Sequence, residues 1–198
     1  LMVNTTKNEN AKLSWSEAVN ELVTDLTNDT TIDVPSSFKE FVQDIWKNSF
    51  PFPKLFDIWH VGFICDELDR ALDEGQNLIC VLPRGHWKST ILGHGYTIWQ
   101  LMRTKASSRS LLYASYNHDM VRYHVRTMKD EIRANPLLAN EWFTKDLARG
   151  ADNAIRYQTA DGGIVRVEMA GVTQFKRGLH TNAGMVVDDI LKDANSPI

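Results

Sequence analysis

The chain has 198 residues, of which 43% are hydrophobic and 24% charged, an ordinary globular balance with enough apolar material for a core. Acidic residues (25) outnumber basic ones (22) and the net charge is −3, so any DNA contact must come from a local basic patch rather than from the charge of the whole chain. No apolar run approaches a membrane span, the N-terminus carries no signal-peptide pattern, and Cys65 and Cys80 lack metal spacing; the expectation is a soluble, intracellular protein with two reduced core thiols.

Residues 1–13 are polar and rich in Asn and Thr, a composition that frays. From Ser16 the spacing of Val19, Leu22, Val23 and Leu26 predicts a short amphipathic helix, capped by Ser14 or Ser16. Thr27–Ser37 reads as a loop, and Ser37 as the cap of a second helix with the stripe Phe38, Phe41, Val42, Ile45. The prolines of "NSFPFPKLF" end that helix. A longer one follows, with Ile58, Val61, Cys65, Leu68 and Leu72 on one face, and Gly75 stops it.

Beyond Gly75 the pattern alternates. "NLICVL" (77–82) predicts a buried strand, then a helix runs from about Lys88 to Met102, and "SLLYAS" (110–115) is a second buried strand. A helix from about His118 to Ala134 ends at Asn135-Pro136. "AIRYQT" and "IVRVEM" flank Asp161-Gly162-Gly163 as a β-hairpin, and "GMVVDDI" (184–190) is a last buried strand ending in two aspartates. This order predicts an α/β fold: a mostly parallel sheet with helices on both faces, an N-terminal helical segment over 1–50 and a β-hairpin insertion within 51–198.

"VLPRGHWKST" carries the chemistry. A strand that ends abruptly, a turn and a helix N-terminus together aim backbone N–H groups at phosphate oxygens. Lys88 has the place of the lysine that reaches the phosphates, and Ser89 that of the hydroxyl that ligates Mg²⁺. The glycine pattern departs from the common form: Leu82 and Trp87 stand at both of its glycine positions, and only Gly85 remains. We expect the Trp87 indole to point away from the ligand and its backbone to stay in an allowed region. At the far end, Met185, Val186 and Val187 of "MVVDDI" are expected to bury, Asp188 to face the metal and Asp189 to sit beside it as the base for the attacking water.

"PRGHWKST" resembles the "PRGHGKST" form of the ATP-binding loop in large terminase subunits, the DNA-packaging motors of tailed bacteriophages. "FDIWHVGFICDEL", "SRSLLYASYNHDMVRYHVRTMKDEIRANPLL" and "GVTQFKRGLHTNAGMVVDDI" are similar to the segments around that loop, so the resemblance spans residues 50 to 192. It implies a P-loop NTPase fold and an ATP site with Mg²⁺, formed by Arg84, Gly85, His86, Trp87, Lys88, Ser89 and Thr90. Arg84 would sense the γ-phosphate, Ser89 and Asp188 would hold the metal, and Asp189, where the family often has Glu, would act on the water. Arg177 matches an arginine finger reaching into a neighbouring subunit; the blander reading is a surface residue. Trp59 and His60 stand where the family contacts the adenine, or else pack in the core.

The implied partners are double-stranded viral DNA, the portal protein, the small terminase subunit and further copies in a homo-oligomeric ring. The implied setting is the host cytoplasm, docked on the procapsid portal, with no membrane. The chain reads as an N-terminal fragment lacking the last strands of the ATPase sheet and the nuclease domain. Two other readings stay open: a helicase-like P-loop ATPase, and a nucleotide-binding or assembly module without hydrolysis. Arg122, Arg126, Lys129 and Arg133 are spaced as one basic stripe, facing DNA, a neighbouring subunit or solvent.

Overall fold

Ser37 starts the described helices as its spacing predicts: its Oγ accepts the Glu40 amide at 3.1 Å. The Asp69 carboxylate reaches across from a later helix and accepts the amides of Phe38 (2.6 Å) and Lys39 (3.1 Å), so a negative charge sits on the first turn where the peptide dipoles favour it. This computed structural model describes residues 33–151, 154–171 and 180–189. The helix expected from Ser16 and the finger candidate Arg177 lie outside the described residues.

Helix α1 (Phe38–Glu40) runs directly into a π-helical turn (Phe41–Ile45) and a 3₁₀ turn (Trp46–Ser49). After the proline segment, α2 (Trp59–Asp73) ends at Gly75, whose φ of 65° is the left-handed stop that glycine takes freely. A π-helical stretch (Ser89–Gly95) continues into α3 (Tyr96–Arg103), and α4 spans His118–Ala134 with Asn117 as its cap. Past α4, Asn135 closes the turn: its amide donates to Ile45 O (2.8 Å) while its Oδ1 accepts the Leu137 amide (3.1 Å).

The sheet has five strands, β1 (Ser108–Ser115), β2 (Lys145–Asp146), β3 (Arg156–Gln158), β4 (Ile164–Gly171) and β5 (Met185–Asp188), in the order β2-β3-β4-β1-β5. β1 pairs in parallel with β4 and β5, while β2–β3 and β3–β4 are antiparallel. The fold is therefore α/β with a mixed sheet. The hairpin β3–β4 forms around Asp161-Gly162-Gly163 as expected, yet it is no appendage: β4 pairs with β1 along its whole length.

Two expectations about buried strands fail for one reason. Residues 76–83 form no strand among the described residues, and Ile79 and Val81 are 88% exposed while Leu78 and Leu82 pack on the core. In β5, Met185 and Val187 are exposed, against the expectation that they bury. The sheet face bearing Leu111, Tyr113, Val165 and Val167 shares one large core with α1 to α4. The opposite face carries only Leu112, Ala114 and Ala170 as a buried apolar cluster among the described residues, and Met185 and Val187 register with Leu112 and Ala114 on that side. A continuous apolar run hides this alternation, because burial depends on what covers each face and not on the run itself.

Candidate functional site

The loop after Leu82 turns at Gly85 (φ 82°), where an added Cβ would meet nothing within 4 Å, so the backbone angle and not crowding calls for glycine. Trp87 is also left-handed, at φ 62°. This corrects the expectation that its backbone would avoid the angle a glycine supplies. Its ring explains the strain: the indole packs edge-on against Phe56 (centroids 5.5 Å apart) and Phe50 (6.5 Å), half-buried against the core. Aromatic packing offsets the roughly 1–2 kcal/mol cost of a left-handed residue with a Cβ. The Ile91 amide donates to Trp87 O at 2.7 Å, so the helix ladder begins there and the amides of Lys88, Ser89 and Thr90 precede it.

The other half of the site comes from the sheet. Asn182 holds the approach to β5 beside β1, accepting the Ser110 amide (2.8 Å) and donating to Ser108 O (2.7 Å). β5 then ends with Asp188 buried and Asp189 exposed, the latter with its backbone at φ 43°. The Lys88 amine donates to Asp189 Oδ1 at 2.7 Å, which raises the lysine's pKa. Tyr113 of β1 donates its hydroxyl to Asp188 Oδ2 at 3.1 Å, and burial followed by the Asp188 charge pushes that phenol far up. Loop lysine and both strand-end aspartates thus lie together at the C-terminal edge of β1 and β5.

Behind Asp188 lies a buried polar group that the sequence reading missed. His124 of α4 has Nε2 3.7 Å from Asp188 Oδ2; its Nδ1 is 3.0 Å from Nε2 of His94, on the helix that follows the loop. Nδ1 of His94 is 2.9 Å from Glu131 Oε1. Burial and the neighbouring His94 lower the His124 pKa, and burial raises that of Glu131. The signal was present in the sequence: His124 and Glu131 lie two turns apart on α4 beside the apolar stripe Val121, Val125, Met128 and Ile132, where a solvated face would not put them.

Trp59 and His60 open α2. Trp59 is 81% exposed and so is not core packing, while His60 is half-buried, its ring 5.5 Å from that of His86 in the loop. His60 Nε2 is buried without a hydrogen-bond partner. Phe52, Leu55, Ile58 and Phe63 are exposed in the same stretch, so an apolar surface adjoins the loop. Arg84 and His86 are exposed at the loop's start, where the His86 ring Nδ1 lies 3.3 Å from Arg84 O.

The basic stripe on α4 does not form as spaced. Lys129 is fully buried, its amine donating to Ala148 O (3.1 Å) and Ala151 O (2.9 Å) and pairing with Asp146 (3.0 Å). Arg122 and Arg133 pair with Asp119 and Asp130 of their own helix. Cys65 is a buried free thiol that burial pushes up to about 12, and Cys80 is free and half-buried. Among the described residues no helix is long and apolar enough to cross a membrane.

Among the described residues no group of three or more His, Cys, Asp and Glu is arranged as a metal cage. Ser89 and Asp188 are the two residues that could hold a Mg²⁺ ion, which needs few protein donors because it keeps waters and is held largely through substrate phosphates. The fit has a second sign in Ser115, level with Asp188 at the end of β1, whose buried hydroxyl has no partner. The chain matches no known protein-family model, no characterised protein and no solved structure.

Proposed function

We propose that the chain is the ATP-binding and ATP-hydrolysing part of a large terminase subunit, a motor that drives double-stranded viral DNA into a procapsid. The observation that carries this reading is the meeting of Lys88 and Asp189 at 2.7 Å. It joins a lysine at a helix start to the acidic end of a strand in a parallel pair, the edge at which open α/β sheets bind ligands. The resemblance of residues 50–192 to large terminases supports the same reading and supplies the motor. It brings with it a homo-oligomeric ring, the portal protein and the small terminase subunit as partners, and the host cytoplasm as the setting.

Bound ATP with Mg²⁺ would supply a γ-phosphoryl group for transfer to water. The chain's own residues bind and orient it. Lys88 and the amides at the start of the helix hold phosphate oxygens, and Arg84 lies at the loop's mouth for the terminal phosphate. Asp188 and Ser89 hold the ion. Asp189, released from Lys88, takes the proton of the attacking water. Trp59 offers an exposed indole face to the base with the half-buried His60 ring beside it, and Arg177 is assigned the finger that completes a neighbour's site.

The test is titration of ATP with and without Mg²⁺, followed by phosphate release, on wild type and Lys88→Ala. We expect Lys88→Ala to lose binding or turnover; unchanged affinity and hydrolysis would overturn the loop assignment. The left-handed Trp87, locked on Phe56, favours a second reading in which the chain binds nucleotide without hydrolysing it. Binding by wild type with no phosphate release would select it.

A further inference from the structure

We propose that Glu131, His94 and His124 form a one-directional hydrogen-bond chain that ends in an N–H aimed at Asp188 and fixes that carboxylate for its ion. The inference rests on the nucleotide reading for the identity of the ion, and on the buried geometry for everything else.

The chain leaves few choices. His94, His124, Glu131 and Asp188 are each less than a tenth exposed, so their polar atoms must satisfy one another. A neutral imidazole has one donor nitrogen and one acceptor. The contact between His94 Nε2 and His124 Nδ1, at 3.0 Å, therefore sets a direction for both rings. If His124 Nδ1 donates, its Nε2 turns a lone pair toward the carboxylate of Asp188 at 3.7 Å, two electron-rich atoms facing each other away from water. If His94 Nε2 donates, His124 carries its proton on Nε2 and presents it to Asp188.

The far end favours the second direction. It requires a proton between Glu131 Oε1 and His94 Nδ1, which are 2.9 Å apart. Glu131 Oε2 is buried with no partner, a place that suits the carbonyl oxygen of a neutral acid better than half of a carboxylate. Burial also raises the Glu131 pKa. Whether that proton rides on oxygen or on nitrogen, the orientation of both rings downstream is the same.

The consequence lies at the ion. Tyr113 and His124 both address Oδ2 of Asp188, which leaves Oδ1 to coordinate. His94 sits on the helix that Ser89 begins, so the chain also ties the loop helix to the strand end. His124 and His94 are positioning residues: neither reaches the nucleotide, and both act through Asp188, as partners behind a metal ligand do.

Two measurements test this. Long-range ¹H–¹⁵N NMR of the intact chain should find the Nε2–H form at His124 and a protonated Nε2 at His94; a neutral His124 protonated on Nδ1 overturns the proposal whatever the chain binds. In the second, His124→Phe keeps the ring and removes both nitrogens. It should raise the Mg²⁺ concentration needed for Mg²⁺-dependent ATP binding by about tenfold or more, leave metal-free ATP affinity within about twofold, and add nothing in an Asp188→Asn background. His94→Phe, which removes the nitrogen that sets the direction of His124, serves the same test if His124→Phe does not fold. An unchanged Mg²⁺ requirement in a folded variant overturns the positioning role alone. A folded wild type that binds no ATP, with or without Mg²⁺, overturns the nucleotide reading and with it the assignment of the ion.

Discussion

Lys88 Nζ donates to Asp189 Oδ1 at 2.7 Å, joining two residues 101 positions apart, so one candidate site residue occupies the other. The amine that would hold a phosphate holds a carboxylate, and the carboxylate that would take a proton from water is held by an ammonium. On the proposed function, nucleotide binding would begin by exchanging Asp189 for phosphate oxygens on Lys88. The pair is solvent-accessible, so the exchange meets little resistance.

From that exchange follows the behaviour of Asp189→Asn. The variant should bind ATP at least as tightly as wild type, because Lys88 no longer has to release an internal anion. Its turnover should fall by about 10²–10⁴-fold, the usual contribution of a general base. Calorimetry and phosphate release read the two halves separately. Clearly weaker binding would mean that Asp189 holds Lys88 in its binding position.

Trp87 carries opposing contributions whose order can be measured. Removing the indole loses its packing on Phe56 and Phe50, so both Trp87→Gly and Trp87→Ala should lower the melting temperature. Only glycine relieves the left-handed backbone at φ 62°. Trp87→Gly should therefore be more stable than Trp87→Ala by about 1 kcal/mol. The reverse order in thermal melts would mean that the loop relaxes out of the left-handed region once the ring is gone.

Trp87 also marks the limit of what residue patterns convey. Helices with a clear stripe and cap were legible: α2 stops at Gly75, α4 begins at His118 and ends before Asn135, and Ser37 caps α1. The hairpin turn at Asp161-Gly162-Gly163 was legible from its glycines. The side chains that cover each strand were not, which is why Ile79, Val81, Met185 and Val187 read as buried. The loop and strand-end acids could be named from their order, but the Glu131–His94–His124 group needed α4 and the loop helix to converge. Lys129 failed in the opposite sense, since helical spacing cannot foresee two carbonyls and an aspartate waiting in the interior.

The turn at Asp161 gives a pH prediction. Arg109, almost fully buried, pairs with Asp161, which also accepts the Thr159 hydroxyl (2.6 Å) and the Gly163 amide (3.1 Å). Partial burial would raise the Asp161 pKa, but the hydrogen bonds from Thr159, Arg109 and Gly163 outweigh it and hold it below its ordinary 3.8. A lowered folded-state value means that the unfolded chain takes up this proton first. The contribution is therefore complete above the ordinary value and disappears as pH falls through the lower, folded one. Asp161→Asn should cost about 1–3 kcal/mol at neutral pH by leaving a buried guanidinium without its acid. It should also flatten the loss of melting temperature below about pH 4; an unchanged acid limb would place that sensitivity elsewhere.

Gly93 tests whether the loop helix and the Tyr113–Asp188 contact are packed as one unit. A Cβ at Gly93 would lie 2.8 Å from the Tyr113 hydroxyl but 3.6 Å from the nearest ring carbons. Tyr113 is fully buried and cannot swing away, so the hydroxyl must leave its place on Asp188 or the helix must lift. Gly93→Ala should cost about 1–3 kcal/mol by overpacking and raise the Mg²⁺ requirement for ATP binding. Tyr113→Phe removes the oxygen that collides and leaves contacts at ordinary van der Waals distance. Gly93→Ala combined with Tyr113→Phe should therefore be more stable than Gly93→Ala alone, although Tyr113→Phe by itself gives up a hydrogen bond. Chemical denaturation of the four proteins in this cycle reads the coupling directly. Additive losses would mean that the helix yields instead of the tyrosine, and that Asp188 keeps its hydroxyl partner when Gly93 is filled.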